Sequence, residues 1–440
     1  MLLNNAEVVL EARKGLCPTC LKIVKGFTVG KENRVFFRKE CPEHGVSEVE
    51  IWPDVAHYQW MQSFNFPQPK PIASCEEKNG CPFDCGLCSA HLAKPALVEI
   101  EVTQQCNLAC PVCFMDAQNT LPDPTLKQIK KIFTNIVGKV GPQTSVQVTG
   151  GEPTVRSDLP KIVQAGREMG FSAIEINTNG LVIAQDMDYL KRLKGAGISG
   201  VYLQFDGLDG ESCQQLRGGD YLRSKLGAVE HCRQLGVQVV LAMTVVWGIN
   251  QDQIGEVIQY ALENLDVVVG VALQPAFTSG RFEVQLGRKL NMGDVIFLLA
   301  EQCQAIRPYD FYPLGCSHPL CSAGTFLIQE EQSILPLTRT LSREEYQRSF
   351  DKNSPQGSVF LDILAARGNG ETKGLSVLVM DYMDVENLDI ARLQQCSMVV
   401  ADEKDRLIPF CAYHLTNADG KDIYKTGRWK GHGFGEREGV

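Results

Sequence analysis

No stretch of roughly 18 uninterrupted apolar residues occurs in the chain, which excludes a membrane-spanning helix. The opening segment MLLNNAEVVLEARKG has neither a charged n-region nor a continuous apolar h-region, so no secretory leader is read there and a cytoplasmic location is expected. Basic charge is in deficit: 43 Lys and Arg against 52 Asp and Glu leave a net charge of -9, which argues against a general nucleic-acid binder. Internal repeats and low-complexity segments are also missing, which excludes a solenoid array.

Cysteine, by contrast, is abundant, with 17 in 440 residues. A reducing compartment rarely sustains disulfides, so clustered cysteines there read as metal ligands. Cys17, Cys20 and Cys41 form one group, joined by His44. Cys75, Cys81, Cys85 and Cys88 form a second, Cys106, Cys110 and Cys113 a third, and Cys316, Cys321, Cys396 and Cys411 a fourth. The isolated Cys213, Cys232 and Cys303 read as small apolar core residues.

Between residues 96 and 280, strand-like and helix-like patterns alternate. The strand segments are ALVEIEV (96–102), SVQVT (145–149), SAIEI (172–176), GVYLQF (200–205), VQVVLAMTVV (237–246) and VVVGVAL (267–273). After Thr125 the apolar residues Ile129, Ile132, Phe133, Ile136 and Val137 follow helical spacing. This alternation implies an α/β fold with parallel strands and right-handed crossovers, most economically a (β/α)6 partial TIM barrel. A full eight-stranded barrel and a doubly wound sheet stay open at this point. The expected organisation is a metal-binding module over 1–66, a cysteine segment over 67–95, the barrel over 96–280 and a C-terminal cap over 281–440. The linker FPQPKPIAS (66–74) marks the first boundary.

Two segments share the spacing C-x3-C-x2-C, Cys81 to Cys88 and Cys106 to Cys113, so context must separate them. Cys106 follows a strand and precedes a helical segment, which puts its loop at the carboxyl end of the first barrel strand, where such folds carry reactive groups. No fourth cysteine or histidine lies near it. Three thiolates hold three irons of a [4Fe–4S] cube and leave the fourth iron free for a small molecule. Cys81, Cys85 and Cys88 have Cys75 upstream as a fourth ligand, which closes the shell and suits electron transfer or structure. The Cys17, Cys20, Cys41 and His44 set satisfies tetrahedral zinc or a rubredoxin-like single iron. The last four cysteines converge on a second auxiliary cluster if SMVVADEKDRLIPF (397–410) is a hairpin, with His318 and His414 as alternative ligands.

Cys106 to Cys113, followed by Val148-Thr149-Gly150-Gly151-Glu152-Pro153, resembles the radical S-adenosylmethionine (SAM) superfamily. The resemblance implies that SAM binds the open iron and is cleaved to a 5′-deoxyadenosyl radical, which abstracts hydrogen from an unactivated carbon. It further implies that Gly150, Gly151, Glu152 and Pro153 receive the methionine moiety, with Glu152 accepting from its ammonium, and that Asn179 and more weakly Asn250 lie near the ribose. Val112 stands where the superfamily usually has an aromatic, and Phe114 follows. The order of all motifs, from the C-x2-C…C-x2-H module to the terminal PFCAY, is similar to archaeal tetraether lipid synthases and to the class D radical SAM methyltransferases.

Three functions follow. The first is carbon–carbon bond formation on lipid alkyl chains, for which the run Tyr58, Trp60, Met61, Phe64 and Phe66 offers acyl-chain or peripheral membrane contact and Arg281 and Arg288 a head-group contact, although docking of the N-terminal module onto the barrel is the commoner use of such a run and solvation the commoner state of such arginines. The second is C-methylation of a pterin or other small heteroaromatic, with a folate-type one-carbon donor implied. The third is a non-catalytic iron–sulfur electron-transfer protein. Either enzyme requires an external electron donor such as ferredoxin or flavodoxin.

Overall fold

The computed structural model describes residues 7–66, 69–117, 122–330, 333–350, 358–368 and 372–425; Pro67 and Gln68 of the expected linker fall outside them. The N-terminal module is an antiparallel meander of β1 (Val8–Leu16), β2 (Ile23–Lys31), β3 (Arg34–Cys41) and β4 (Gly45–Trp52). Strand β3 buries Val35, Phe37, Lys39 and Cys41 on one face, the period of two expected of a half-buried strand. Glu32 and Asn33, both with positive φ, make the tight β2–β3 turn whose backbone twist matches the strands it joins.

The central sheet begins with β5 (Leu97–Thr103). After a two-residue strand β6 (Val112–Cys113) come β7 (Ser145–Gly150), β8 (Ile174–Thr178), β9 (Gly200–Gln204), β10 (Val239–Val245) and β11 (Val268–Pro275). β5, β7, β8, β9, β10 and β11 lie side by side in chain order, each pair parallel, with helices in the crossovers. This is the alternation read from the sequence.

The sheet's two faces differ in chemistry. Val98, Ile100 and Val102 of β5 pack against Ile129, Ile132, Phe133 and Ile136 of the helix Leu126–Val140, which starts on a Thr125/Gln128 capping box. The residues between them, Glu99, Glu101 and Thr103, are buried on the opposite, inward face. On β9 the same alternation puts Val201 and Leu203 in the outer core and Tyr202 and Gln204 inward. The helices therefore cover an aliphatic surface, and the concave side is left polar.

The C-terminal third does not stand apart as a cap. Short strands β12 (Arg281–Phe282) and β13 (Tyr312–Pro313) precede β14 (Ser322–Glu330), β15 (Ser333–Pro336), β16 (Gly374–Met380), β17 (Met398–Ala401) and β18 (Leu407–Pro409). β16 adds to β11 in parallel and β17 adds to β5 in parallel, so both ends of the central sheet are extended by this segment. The order is β13-β14-β16-β11-β10-β9-β8-β7-β5-β17-β18, with β15 on β14, in one 12-stranded sheet. Unpaired edge N–H and C=O groups are costly when covered, and these strands satisfy them. The expected hairpin is present as antiparallel β17 and β18, after a short helix Ile390–Gln394.

The N-terminal module docks through aromatics. Tyr58 and Met61 join the core formed with β10 and β11, and Phe64 and Phe66 pack with Tyr346 and Phe360. Trp60 meets Phe64, Tyr309 and Tyr312 at 5.0–5.7 Å between ring centroids. The run is thus used in docking the module onto the barrel, the commoner of its two readings, and not in acyl-chain contact. Among the described residues no helix is long and apolar enough to cross a membrane.

Because Phe133 is fully buried between the first crossover helix and the sheet, Phe133→Ala is expected to destabilise the protein by about 3–5 kcal/mol. Leu226→Ala, at a site 37% exposed, should stay within about 0.5 kcal/mol. Anaerobic urea unfolding followed by circular dichroism measures both.

Candidate functional site

At the carboxyl end of the sheet, the loop after β5 and the turn after β7 are stitched together. Thr103 O accepts from Gly151 N at 2.8 Å and Gln105 O accepts from Glu152 N at 2.8 Å. A β-carbon on Gly150 would strike the Thr103 carbonyl, and one on Gly151 would strike that of Gln105; Gly150 also has a φ of 144°. Only glycine allows this approach.

Glu152 is buried and heavily engaged. Its Oε1 accepts from Thr154 N (3.0 Å), Thr154 Oγ1 (2.5 Å) and Thr178 Oγ1 (2.7 Å), and its Oε2 accepts from Asn179 N (2.6 Å). The carboxylate therefore ties the ends of β7 and β8 together, and a ligand ammonium can reach only the capacity left on Oε2. Pro153 begins a single 3-10 turn, Pro153–Val155. Asn179 reaches the cysteine loop, its Nδ2 donating to Asn107 Oδ1 at 2.7 Å while its Oδ1 accepts from Leu181 N at 3.0 Å.

Asn250 departs from expectation. It is fully buried, its Oδ1 accepts from Val246 N at 2.8 Å, and its Nδ2 donates to Asp206 O and Thr244 O, both at 2.8 Å. An amide spent on backbone in this way holds the loop after β10 and has nothing to offer a ribose.

Cys106, Cys110 and Cys113 sit together on the loop after β5, each partly buried. Burial pushes the Cys106 thiol up to about 12, with Glu152, Cys110 and Cys113 adding to the shift and the Leu108 N–H, 3.4 Å from the sulfur, opposing it. Burial likewise raises Cys110, and Arg217 opposes. Thiolates here need cationic compensation, which iron supplies, and the donor set of three sulfurs with no fourth suits an iron–sulfur cube with one open corner.

Two arginines that the sequence reading did not assign to this site add to that compensation. Arg217 is buried; its Nε and Nη2 donate to Asp206 Oδ2 and Oδ1 at 2.6 and 2.8 Å, and its Nη1 donates to Val112 O at 2.9 Å. Burial works against its charge, but Asp206, Cys110 and Cys113 outweigh that and hold it charged. Arg281, on β12, is carried beside Cys113 by the pairing of β12 with β6, and against burial Cys113 helps hold it charged. Arg288 instead pairs with Asp294 (2.5 Å) and Glu50 (3.3 Å), so it is not held for a head group. Lys225, brought down to about 8 by burial, donates to Asn179 O at 2.6 Å and to Gln204. Val112 packs with Leu216, Val246 and Ala276, whereas Phe114 turns toward Phe277, Phe410 and His414.

The four ligands of the N-terminal set converge, with all ligand atoms within 4.8 Å of one another. Cys17 and Cys41 lie 3.6 and 3.5 Å from His44 Nδ1, and Cys20 lies 3.9 Å from Cys41. Metal–sulfur bonds near 2.3 Å give tetrahedral edges of roughly 3.8 Å, so one ion fits among them. In the second group Cys75 and Cys88 share a backbone bridge, and a hydrogen bond with Cys81, then burial, raises Cys85. In the last group, burial followed by Cys396 and Cys321 raises Cys411, and burial followed by Cys321 raises Cys396, on which Cys85 also acts. The two groups are neighbours. Burial raises Cys316, with Ser397, next to Cys396 in sequence, opposing. His318 Nδ1 accepts from Leu320 N at 3.2 Å, and His414 Nε2 lies 4.0 Å from Glu101 Oε1.

A parallel sheet of this order, with the cysteine loop after its first strand braced on a glycine turn after its second, defines a radical SAM enzyme, and the radical SAM superfamily model matches residues 100–261. The HMPTM N-terminal zinc ribbon domain matches residues 9–53. The chain belongs to the radical SAM superfamily and is 31% identical to the 7,8-dihydro-6-hydroxymethylpterin dimethyltransferase of Methanocaldococcus jannaschii, over 94% of this chain and 96% of that protein. It is also 30% identical to the probable GTP 3',8-cyclase of Pyrococcus abyssi, over 37% of this chain and 52% of that one. Streptococcus suis SuiB bound to S-adenosylmethionine aligns with 47% of each chain at 20% identity and a TM-score of 0.41.

Metal analysis of anaerobically purified variants checks the separate centres. Cys41→Ala is expected to lose a single metal ion and keep the cluster absorbance, whereas Cys106→Ala should lose about four irons and the SAM-dependent change in the reduced cluster's EPR signal.

Proposed function

We propose that this radical SAM enzyme is a C-methyltransferase acting on a reduced pterin. The observation that carries the reading is the end-to-end correspondence with the pterin dimethyltransferase, zinc ribbon included, at 31% identity over 94% of the chain. The inward face of the sheet agrees with a compact polar substrate: Glu99, Glu101, Gln147, Thr149 and Tyr202 line it. Beside it stands a wall of rings, Phe114, Phe277, Tyr382 and Phe410, with Tyr382 and Phe410 only 4.5 Å apart. Flat heteroaromatic rings stack on such a wall.

In this reading Cys106, Cys110 and Cys113 hold the [4Fe–4S] cluster that binds SAM. Bound there, SAM supplies the 5′-deoxyadenosyl radical that takes hydrogen from substrate. Gly150 and Gly151 bring backbone against the methionine part, Glu152 and Pro153 fix the turn, and Asn179 positions the cysteine loop through Asn107. Arg217 holds the loop through the Val112 carbonyl, and Arg217 and Arg281 offset the thiolate charge. Cys75, Cys81, Cys85 and Cys88, and Cys316, Cys321, Cys396 and Cys411, would hold two auxiliary clusters, and an external donor of the ferredoxin or flavodoxin class supplies the electrons. Cys17, Cys20, Cys41 and His44 hold zinc.

The lipid reading loses its motivating features, since the aromatic run is packed inside and Arg288 is paired. Anaerobic reconstitution with dithionite, SAM and a methylenetetrahydrofolate-type one-carbon donor, offered either 7,8-dihydro-6-hydroxymethylpterin or a long-chain diether lipid, decides between them by mass spectrometry. The expected result is a pterin heavier by one or two methylene units, with 5′-deoxyadenosine formed in step. Coupled turnover of the lipid alone would overturn the proposal.

A further inference from the structure

The inward face of the sheet holds a carboxylate that the cluster chemistry does not use. Register places Val400, Glu99, Gln147 and Glu175 on one rung across β17, β5, β7 and β8. Along this rung Glu175 is satisfied, its Oε2 accepting from Gln147 Nε2 at 2.9 Å. Nearby, Gln274 Nε2 donates to Tyr202 Oη at 2.8 Å and to Tyr382 Oη at 3.4 Å. Glu99 is the exception: it is 3% exposed, and its Oε2 is buried with no hydrogen-bond donor among the described residues. Burial, then the like charge of Glu101, pushes its carboxyl up to about 8, opposed by Lys425.

We propose that Glu99 reads the amino-pyrimidinone edge of the substrate, its carboxylate accepting in parallel from the ring N–H and the adjacent exocyclic amine. The assignment deepens the pterin reading and rests on it. Burial keeps the empty carboxyl largely protonated at neutral pH, and two N–H donors arriving together favour its ionised form, the proton leaving to solvent; two N–H groups side by side on a planar ring then match its two oxygens as a guanidinium does. Tyr202 and Tyr382 are near enough to Glu99 for its charge to raise Tyr382, so the carboxylate lies beside the ring wall. Glu99 is four residues before Thr103, where the cysteine loop starts. That span is about 13 Å of strand, with Glu101 between the two on the same inward face.

The test uses equilibrium dialysis of the full-length, cluster-loaded protein with 6-hydroxymethylpterin and with its lumazine analogue, in which an oxo group replaces the amine. Wild type is expected to prefer 6-hydroxymethylpterin at least tenfold, and Glu99→Gln to lose at least tenfold in affinity together with that preference, at unchanged iron content and unchanged EPR signal with SAM. If wild type binds 6-hydroxymethylpterin and Glu99→Gln binds and discriminates equally well, the role of Glu99 is overturned and the methyltransferase reading stands. If wild type binds neither compound, the pterin reading itself falls and takes this assignment with it. Should Glu99→Gln fail to retain iron, Glu99→Asp and Glu99→Ala decide: preference kept by the aspartate alone supports the assignment, and equal preference in both overturns it.

Discussion

The backbone contact between the loop after β5 and the turn after β7 is the constraint on which the site depends. Two hydrogen bonds, from Gly151 and Glu152 to the carbonyls of Thr103 and Gln105, bring the cysteine loop and the GGEP turn to van der Waals contact. Side chains at positions 150 and 151 would prevent it. Once this contact exists, the buried Glu152 carboxylate gathers the end of β8 into the same unit, and Asn179 reaches back to Asn107 between the first two cysteines. Three successive strand ends thereby become one rigid rim.

That rim must hold three thiolates in a half-buried place, which is an electrostatic problem before it is a catalytic one. The iron supplies most of the compensating charge, and the protein adds Arg217 and Arg281 at the same loop. Arg217 remains charged in the interior because Asp206 grips it at two points, and its remaining donor fixes the Val112 carbonyl. A buried ion pair of this kind contributes little net stability but positions what it touches. On the polar inward face Gln147 joins Glu175 and Asn177 and Gln274 joins Tyr202, while Glu99 Oε2 and Asn177 Oδ1 find no partner among the described residues.

Much of this was legible in the one-dimensional pattern. The six parallel strands announced themselves by alternation with helices, and Cys106 could be separated from the identically spaced Cys81 because it follows a strand. The ribbon ligands were legible because zinc geometry dictates short spacings. Less visible were Asp206 and Arg217, which belong to no motif and reach Val112 only through the packing of the helix Gly210–Arg217. The strand GLSVLVM could be recognised as apolar, but its place beside β11 depends on a pairing across about a hundred residues, for which local periodicity carries no signal. Asn250 was misread for the same reason: a polar residue after a strand looks like a ligand until its backbone partners are seen.

The amino-acid order by itself determined how the cysteines group along the chain, which group follows a strand and the two-faced character of the strands, because these follow from spacing and from side-chain alternation. Tertiary structure decided which surfaces those features share. It put the C-terminal segment at both ends of the sheet, folded the aromatic run of residues 58–66 into a domain contact, and left Glu99 without a donor beside a wall of rings. Each of these depends on which distant groups become neighbours, and only the closing of the chain around its core sets that.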